Sequence, residues 1–586
     1  MSRCALVAAR RAAGIDAGMI VSVSALDLAH ALIAGAVANG VREIVVCPGS
    51  RSAPLAYAAY AAEQAGLVRL HVRVDERSAG FLALGLAKTT RVPAAIITTS
   101  GTAVANLHPA VLEAHHAKVA LLVLSADRPA ALRGSGANQT TIQPGIFAGA
   151  VRWEADLDDT ADAAATMAIA WRAATGTTAD PGPVHLNVCL AEPLVPSQWP
   201  VHSGFPFRDR DVVRDPALHT HASTSLRSLE ATRPAPAADK TLVLLGDLID
   251  PRRRPEVLSW AARRGHPVIA EPFGEHADQP LTLPHGPLVL TDPDVVDAHA
   301  PEVILTVGRL TLSRPVSALL RRPGVRIEAL TDTADVPDPA KVVTRAHDLS
   351  AVLAAPQPDP QPASAWAQAW LAAGQRVAAA VAAHPPPWPS GLAVAQTMAA
   401  ALPPRAILFT GPSNPVRDLD LGVCRFPAGV SVLASRGLAG IDGCIATAVG
   451  IALADTGRPA YAVMGDLTFL HDANALLIGP HEPRPDLTIL VINDDGGGIF
   501  GLLEPGGEAL AEPYERLFGT PTRTDLGALA GAHGIPHERV ESPDQLAAAM
   551  AQPPRGLRVV EVRTDRAGHR RAHAHLRAIA RAALRE

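Results

Sequence analysis

The amino-acid sequence predicts an α/β protein built from three doubly wound parallel-sheet domains. Three observations indicate this fold class: a length of 586 residues, a regular alternation of helical patterns with short apolar runs, and proline-rich breaks that divide this alternation into three stretches. Roughly 150 residues per domain is a useful prior, so the length allows three or four domains. Strands that alternate with helices form a parallel sheet covered on both faces, and such strands read as near-continuous apolar runs.

The composition narrows the possible function classes. Apolar residues account for 48% of the chain and charged residues for 19%, and the formal net charge is −5. Neither extensive disorder nor a general attraction to nucleic acid is expected from these values. The chain has no stretch of about twenty uninterrupted apolar residues, so no integral membrane contact is expected. The five cysteines are scattered without a C-x-x-C pair, which favours a reducing, cytoplasmic location.

The first α/β domain is predicted at 21–205. Residues 1–20 are basic and rich in alanine, and we interpret them as a disordered leader or the product of an upstream start. A transit peptide is the alternative, because such peptides are rich in arginine and poor in acidic residues. The predicted strands of this domain are "EIVVCPGS", "RLHVRVDE", "AAIITTSG", "VALLVLSAD" and "PVHLNVCL".

A central domain is predicted at 206–362, followed by a linker with a short helix at 363–389. The predicted strands are "TLVLLGD", "HPVIAEP", "GPLVLTD", "EVILTVGR" and "GVRIEALTD". Gly246 and Gly308 follow two of these strands and could admit a nucleotide, but neither belongs to a G-x-G-x-x-G series. Tight turns in a spacer domain are therefore the favoured interpretation. Two proline-rich pieces, "APQPDPQPAS" and "AAHPPPWPS", bracket the linker helix.

The third α/β domain is predicted at 390–586. Its strands are predicted within "AILFTGPSNPVRD", "SVLASRGLAGIDG", "AYAVMGD", "DLTILVINDDGGGIF" and "LRVVEVRTD". The tail "HRRAHAHLRAIARAALRE" reads as a basic helix. His569, His573 and His575 could ligate a metal, but their mixed spacing among arginines favours a solvated or interface helix.

A carboxylate and an amide follow two neighbouring strands of this third domain. Asp466 comes directly after the apolar run "YAVM" and Gly465, and Asn493 ends the next strand twenty-seven residues later. In a parallel sheet both strand ends meet at the carboxyl edge, where open α/β sheets bind ligands. The two oxygen groups suit a Mg²⁺ ion completed by phosphate oxygens, and the following helix start favours phosphate. An ordinary helix cap at Asp466 is the equally open alternative.

The motif "GDL…ND" resembles the Gly-Asp-x…Asn motif of thiamine-diphosphate enzymes. The closer resemblance is to the MenD family, the 2-succinyl-5-enolpyruvyl-6-hydroxy-3-cyclohexene-1-carboxylate synthases of menaquinone biosynthesis. Leu467 and Asp494 depart from the general superfamily, and the MenD subgroup tolerates both. The matching segments cover the first and third domains but not the middle one: "CPGSRSAPL", "DERSAGFLALGLAK", "TTSGTAVANLHPAV", "SADRP", "GANQTTIQ", "GPSNPVRD", "SRGLAGIDG" and "NDDGGGIF".

The resemblance implies thiamine diphosphate and Mg²⁺ or Mn²⁺ as cofactors. It implies that Asp466, Asn493 and the backbone carbonyl of Asp495 hold the metal. It makes Glu76 the catalytic group, hydrogen-bonded to the aminopyrimidine ring, whereas the residue alone reads as a helix-start carboxylate. The implied cofactor contacts are Glu76, Ser413, Gly440, Ile441, Gly465, Asp466, Leu467, Thr468, Asn493 and Gly496.

The resemblance further implies 2-oxoglutarate and isochorismate as substrates. Both are dicarboxylates, and arginine meets carboxylate with paired hydrogen bonds. Arg309 and Arg314 in the middle domain could reach a substrate or an effector, although the motif match is poor there. The implied substrate contacts are Ser50, Arg51, Arg128, Asn138, Gln139, Ser413, Arg417, Arg436, Ile499, Phe500 and Leu503.

In this superfamily different subunits bind the two ends of the cofactor, so the resemblance implies a homodimer or a dimer of dimers. Two alternative functions stay open. One is another thiamine-diphosphate 2-oxoacid decarboxylase or an acetolactate-synthase-like carboligase, whose small substrates would not need four arginines. The other is a catalytically silent homologue, against which Glu76, Asp466 and Asn493 argue by being present.

Overall fold

The computed structural model describes residues 23–177, 179–197, 240–277 and 281–586. The predicted leader at 1–20 and the predicted boundary between the first two domains, near 205, lie outside these residues. The described part contains three sheets, and apart from the short β9 the strands of each sheet are consecutive along the chain. The predicted domain boundaries stay a prediction. No helix of the described ranges is long and apolar enough to cross a membrane.

The first sheet has six parallel strands in the order β2-β1-β3-β4-β6-β5. Its central strands are fully buried, as expected for a parallel sheet with helices on both faces. The strands are β1 Glu43–Val46, β2 Arg69–Val72, β3 Ala94–Thr98, β4 Leu121–Asp127, β5 Glu154–Leu157 and β6 Pro183–Cys189. The helices are α1 Ala25–Ala38, α2 Ala53–Gln64, α3 Glu76–Thr90, α4 Thr102–Asn106, α5 His108–Ala117 and α6 Ala163–Thr175.

The second sheet has five parallel strands in the order β12-β11-β10-β7-β8. Its strands are β7 Thr241–Leu245, β8 Val268–Ala270, β10 Val303–Val307, β11 Arg326–Thr331 and β12 Val343–Asp348. The accompanying helices are α7 Arg254–Arg263, α8 Gly286–Val289, α9 Pro293–Ala298, α10 Arg314–Leu320 and α11 Leu349–Ala354.

The third sheet has seven strands in the order β17-β18-β16-β15-β13-β14-β9. Six are parallel, and the short β9 from the middle of the chain adds antiparallel to β14. The strands are β9 Gly274–Glu275, β13 Ile407–Thr410, β14 Ser431–Ala434, β15 Ala460–Gly465, β16 Leu487–Asn493, β17 His537–Arg539 and β18 Leu557–Arg563. The helices are α12 Ala365–Ala383, α13 Gly391–Ala401, α14 Asn414–Gly422, α15 Cys444–Ala454, α16 Asp466–His471, α17 Ala511–Tyr514, α18 Leu526–Ala532, α19 Pro543–Ala551 and α20 Gly568–Arg585.

One predicted strand is wrong. The segment "GPLVLTD" forms α8 instead, with Pro287 in its first turn. Proline cannot donate to a strand ladder but suits the start of a helix, and a run of four apolar residues does not distinguish the two structures. The sequence analysis also missed β5, β9, β12 and β17, which are short or carry polar residues.

Two helices at the ends of the chain's last third are more buried than predicted. The linker helix α12 contributes Trp370 and Val377 to an apolar cluster that also contains Leu576 of α20. His569 and His573 of α20 are only 3% and 4% exposed, so of the two expectations for this tail, solvated or interface helix, the solvated one does not hold for them. His575 on the same helix is exposed.

The first and third sheets are joined by the close packing of α3 against α15. Gly85 of α3 faces the backbone of Thr447, and Gly450 of α15 faces the backbone of Leu82. A Cβ atom on either glycine would run into a carbonyl oxygen of the opposite helix. These glycines therefore set the distance between the two helices, because only a residue without a side chain allows such close backbone approach.

We expect Gly450→Ala to destabilise the protein by about 1–3 kcal/mol, because the added methyl group overpacks this contact. Urea unfolding followed by circular dichroism measures the effect. Gly531→Ala is the matched control: Gly531 lies in α18 with no atom near its would-be Cβ, so alanine should be neutral or stabilising there. A Gly450→Ala protein as stable as the wild type would contradict this view of the helix contact.

Candidate functional site

A pocket opens at the carboxyl edge of the third sheet, beyond the ends of β13, β15 and β16. This is the edge at which open α/β sheets bind ligands. All the residues that line it come from the last third of the chain: Pro412, Ser413, Asn414, Pro415, Arg417, Asp418, Arg436, Ala439, Ile441, Gly465, Asp466, Leu467, Thr468, Ile492, Asp494, Gly496, Gly497, Gly498, Ile499, Phe500 and His569.

Two carboxylates face each other in this pocket. Asp466 is the first residue of α16, directly after β15, and is only 3% exposed. Burial and the nearby Asp494 raise the pKa of Asp466 to about 7, although backbone N–H groups including that of Gly496 act in the opposite direction. No lysine or arginine of the described ranges forms an ion pair with Asp466. Among the described residues His569, which contacts Asp494, is the pair's one basic partner, and a hard divalent metal would stabilise two such neighbouring carboxylates.

The structure does not bring two of the predicted metal ligands to the pocket. The amide of Asn493 donates to Glu561 Oε1 at 2.7 Å and accepts from the backbone N–H of Asp495 at 3.0 Å. The carbonyl oxygen of Asp495 accepts from Arg566 Nη1 at 2.6 Å, while its carboxylate accepts two backbone N–H groups. Neither Asn493 nor Asp495 is among the residues that line the pocket, whereas Asp494 lines it together with Asp466; the role of Asn493 and Asp495 as metal ligands stays a prediction.

Two histidines of α20 hold carboxylates at the pocket. His569 Nε2 lies 2.8 Å from Asp494 Oδ2, and His573 Nε2 lies 2.8 Å from Asp418 Oδ1. The two histidines are four residues apart, so they share one face of the helix. The spacing of four residues was the only sign in the sequence that the two histidines act together. The carboxylates that they contact lie 75 and 155 residues away in sequence. Sequence reasoning therefore missed both roles.

The predicted cofactor and substrate residues of the third sheet mostly line this pocket. Arg417 donates to the carbonyl oxygen of Ser413 at 2.7 Å, and Ser413 itself has a left-handed backbone with φ of 75°. Asn493, Gly440 and Leu503 are predicted contacts that do not line the pocket. Those that do are Ser413, Arg417, Arg436, Ile441, Gly465, Asp466, Leu467, Thr468, Gly496, Ile499 and Phe500.

The predicted residues of the first sheet form a separate group. Arg51 follows β1 and Arg128 follows β4; burial and the neighbouring Arg128 lower the pKa of Arg51. Arg128 donates to the carbonyl oxygen of Gln139 at 2.8 Å and to Ser100. Two close guanidinium groups at a strand edge favour an anionic ligand. Glu76, Ser50, Arg51, Arg128, Asn138 and Gln139 do not line the pocket of the third sheet.

The loop that carries Asn138 and Gln139 is anchored by Gln143, which sequence reasoning did not single out. Gln143 is fully buried. Its side chain accepts from the backbone N–H of Gly101 at 2.8 Å and donates to Asn187 Oδ1 at 2.7 Å. A buried amide whose groups are paired in this way fixes a loop against its sheet.

Glu76 begins α3 but does not cap it. Asp75 accepts the backbone N–H groups of Arg77 and Ser78, so helix capping does not account for Glu76. Among the described residues no group donates a hydrogen bond to its carboxylate. The preceding strand β2 is the edge strand of its sheet, which leaves this carboxylate beside an open edge.

Within one chain, Glu76 and Asp466 are associated with opposite ends of α16. Arg77 Nη2 donates to the carbonyl oxygen of His471 at 2.7 Å, and Asn474 donates to Asp75 at 2.8 Å. Both partners lie at or beyond the C-terminal end of α16, whereas Asp466 begins it. In a single copy of the chain, Glu76 is not among the residues that line the pocket containing Asp466.

We expect His573→Leu to destabilise the protein by about 3–5 kcal/mol, because it leaves the buried carboxylate of Asp418 without its partner. The thermal unfolding midpoint measures this loss. His575→Leu, two residues along the same helix and exposed, is the control and should change stability by no more than about 0.5 kcal/mol. Equal midpoints for the two variants would show that the His573 contact contributes nothing.

Comparisons with known proteins agree with this geometry. Residues 26–147 match the family "Thiamine pyrophosphate enzyme, N-terminal TPP binding domain" and residues 422–562 match "Thiamine pyrophosphate enzyme, C-terminal TPP binding domain". The chain also superposes on benzoylformate decarboxylase from Polynucleobacter necessarius with a TM-score of 0.64 and 18% identity, over 93% of this chain and 99% of that one. At this identity the superposition shows a shared fold.

Two curated relatives extend over nearly the whole chain. The 2-succinyl-5-enolpyruvyl-6-hydroxy-3-cyclohexene-1-carboxylate synthase of Nocardioides sp. is 46% identical over 575 residues, covering 95% of this chain and 98% of the relative. The synthase of the same name from Saccharopolyspora erythraea is 42% identical over 570 residues, with the same coverage. The chain belongs to the 2-succinyl-5-enolpyruvyl-6-hydroxy-3-cyclohexene-1-carboxylate synthase family of thiamine-diphosphate enzymes.

Proposed function

We propose that this protein decarboxylates 2-oxoglutarate and adds the resulting succinyl-semialdehyde unit to isochorismate, giving 2-succinyl-5-enolpyruvyl-6-hydroxy-3-cyclohexene-1-carboxylate. One observation carries the proposal: Arg417 and Arg436 line the same pocket as the carboxylate pair Asp466 and Asp494. A site that combines a metal-diphosphate anchor with several guanidinium groups suits substrates with more than one carboxylate. A carboligase for small monocarboxylates has no need of them.

The residues at the third sheet fit a divalent cation and a diphosphate. Asp466 and Asp494 would supply carboxylate oxygens to Mg²⁺ or Mn²⁺, and the glycine loop at 496–498 would allow close backbone approach. The described residues contain no group of three or more histidine, cysteine or acidic side chains suited to a metal. A metal completed by phosphate oxygens needs no such group.

When bound, thiamine diphosphate supplies the stabilised carbanion that the reaction needs. The chain supplies the positions and the proton acceptor. We assign to Glu76 the hydrogen bond to the aminopyrimidine ring, since its carboxylate is neither a helix cap nor bonded to a described residue. Arg51 and Arg128 would bind substrate carboxylate from the first sheet, while Arg417 and Arg436 would do so from the third. Ile499 and Phe500 would form the apolar wall over the reacting groups.

The candidate residues of the first sheet do not line the pocket of the third sheet in the same chain, and we propose that a second copy completes the site. Glu76 of one copy would then face Asp466 of the other. Apolar side chains beside Glu76 support this arrangement: Val74 is 69% exposed, Leu477 is 51% exposed and Val72 is 37% exposed. Exposed apolar groups close together favour burial against a partner. Homodimer and dimer of dimers both satisfy this proposal, and the cytoplasmic location stays a prediction.

The function is tested by following isochorismate through its ultraviolet absorbance in the presence of thiamine diphosphate and Mg²⁺. We expect the signal to fall when 2-oxoglutarate is the donor, with release of CO₂, and not when pyruvate replaces it. The four candidate arginines, Arg51, Arg128, Arg417 and Arg436, explain this preference, because pyruvate lacks the second carboxylate that they would bind. Consumption with pyruvate alone, or with neither donor despite calorimetric binding of the cofactor, would assign the protein to another carboligase activity.

We expect Glu76→Gln to lower turnover by about a hundredfold or more, because an amide cannot accept the proton that a carboxylate does. Binding of thiamine diphosphate and Mg²⁺ should change little, since the metal and diphosphate are held by the other half of the site. Steady-state kinetics and calorimetry separate the two effects. Wild-type turnover in this variant would remove Glu76 from the reaction.

Replacing Asp494 and replacing Asn493, the two neighbouring candidates for the metal ligand, should give different results. We expect Asp494→Ala to weaken Mn²⁺ binding in the presence of thiamine diphosphate by at least about tenfold. Asn493→Ala should lower the unfolding midpoint, because Glu561 loses its amide partner, with little effect on Mn²⁺ affinity. Electron paramagnetic resonance of free Mn²⁺ measures the affinity. The reverse pattern would restore Asn493 as the ligand.

A further inference from the structure

We propose that Thr311 and Glu271, in the middle of the chain, are positioning residues that hold Arg436 in the substrate pocket. The inference rests on the proposed function, in which Arg436 binds a substrate carboxylate. It gives a role to a segment in which the sequence shows no family motif.

Arg436 is buried and bonded on one edge of its guanidinium group. It is 6% exposed. Its Nε donates to Thr311 Oγ1 at 3.0 Å, and its Nη2 donates to the carbonyl oxygen of Thr311 at 3.3 Å. Among the described residues Nη1 of Arg436 donates no hydrogen bond. Thr311 therefore fixes the Nε and Nη2 edge of the guanidinium group. The Nη1 group stays available to a ligand in the pocket.

Thr311 is in turn held by Glu271, which follows β8. Glu271 Oε1 accepts the backbone N–H of Thr311 and that of Leu312, each at 2.7 Å. Glu271 is only 4% exposed; burial raises its pKa to about 7, whereas the two N–H groups and Arg436 act in the opposite direction. No basic side chain of the described ranges forms an ion pair with it. The Thr311 hydroxyl also donates to Glu271 Oε2 at 3.4 Å. A buried carboxylate bonded to two backbone N–H groups and to this hydroxyl fixes the turn that carries Thr311.

The loops around this turn are pressed together by two glycines. Gly308 has φ of 71°, and a side chain there or at Gly246 would run into the backbone of the opposite loop. Asp247 and Arg309 exchange backbone hydrogen bonds of 2.9 Å in both directions. The glycines considered for nucleotide binding thus serve close pairing of the loops after β7 and β10. This pairing fixes the backbone at Arg309, two residues before Thr311.

The backbone on either side of Arg436 is also held. Arg309 Nη1 donates to the carbonyl oxygen of Arg436 at 2.9 Å. Glu113 of α5 accepts the backbone N–H of Gly437 at 2.7 Å and that of Leu438 at 2.6 Å. Contacts from two separate segments, the loop at 309–311 and α5, therefore restrain Arg436 and the two residues after it. An arginine restrained before the substrate arrives loses less conformational entropy on binding, which is the advantage of preorganisation.

The test compares four variants by steady-state kinetics with each substrate and by calorimetry of thiamine diphosphate. Arg436→Ala is the reference: it identifies the substrate whose KM depends on Arg436. Thr311→Val removes the hydroxyl that accepts from Arg436, and we expect it to raise that same KM by about tenfold. Glu271→Ala should raise the same KM, whereas Glu271→Gln should restore it to within about twofold, because an amide oxygen still accepts both N–H groups.

The affinity for thiamine diphosphate distinguishes an effect on the position of Arg436 from general damage to the fold. All four variants should bind thiamine diphosphate with wild-type affinity, because Arg436 is not one of the residues assigned to the diphosphate and metal. Thr291→Val is the matched control: it removes a hydroxyl that donates to Leu288 in the same sequence segment, and it should leave both KM values unchanged.

Two results would overturn the inference while leaving the proposed function intact. One is a raised KM for Arg436→Ala together with wild-type values for Thr311→Val. The other is an equal effect of Glu271→Gln and Glu271→Ala. An unchanged KM in Arg436→Ala would instead contradict the proposed role of Arg436 itself. Since Thr311→Val removes no buried charge, it tests the inference even if the Glu271→Ala protein does not fold.

Discussion

The close packing of α3 against α15 is the contact on which the rest of the molecule depends. It joins the first and third sheets through Gly85 and Gly450, whose missing side chains let the two helix backbones touch. Contacts from Asp75 and Arg77 to the far end of α16 then fix the start of α3. Glu76 does not line the pocket that contains Asp466 in the same chain, which supports the proposal that a second copy completes the site.

Buried charge is the second organising feature, and in each case the structure provides a specific partner. His569 meets Asp494, His573 meets Asp418, and two backbone N–H groups meet Glu271. Isolated buried charges are costly, so such partners must be present before the pocket can keep its carboxylates. The partners come from the C-terminal helix and the middle of the chain. This explains why segments without family motifs still belong to the site.

Much of the architecture follows from the sequence because a parallel strand buried on both faces is a run of apolar residues. Strands such as β4, β6 and β16 lie where these runs predict them. "GPLVLTD" failed because its run is short, and polar edge strands such as β5 gave no apolar signal. Three consecutive residues at the end of β16 illustrate a harder problem. Asn493, Asp494 and Asp495 are equally good oxygen donors, and the one that faces the pocket is decided by Glu561 and by the positive φ of Asp495.

Mixing two inactive variants tests the central claim, that two copies of the chain share each site, most directly. Glu76→Gln and Asp466→Asn proteins are each expected to be nearly inactive; they are unfolded together, refolded as an equimolar mixture and assayed. If the halves come from different copies, each mixed dimer regains one intact site, and activity should recover to about a quarter of the wild-type value. If each chain builds its own site, no mixed dimer contains an intact one. An absence of recovery, with mixed dimers shown to form by differential tagging, would contradict the account.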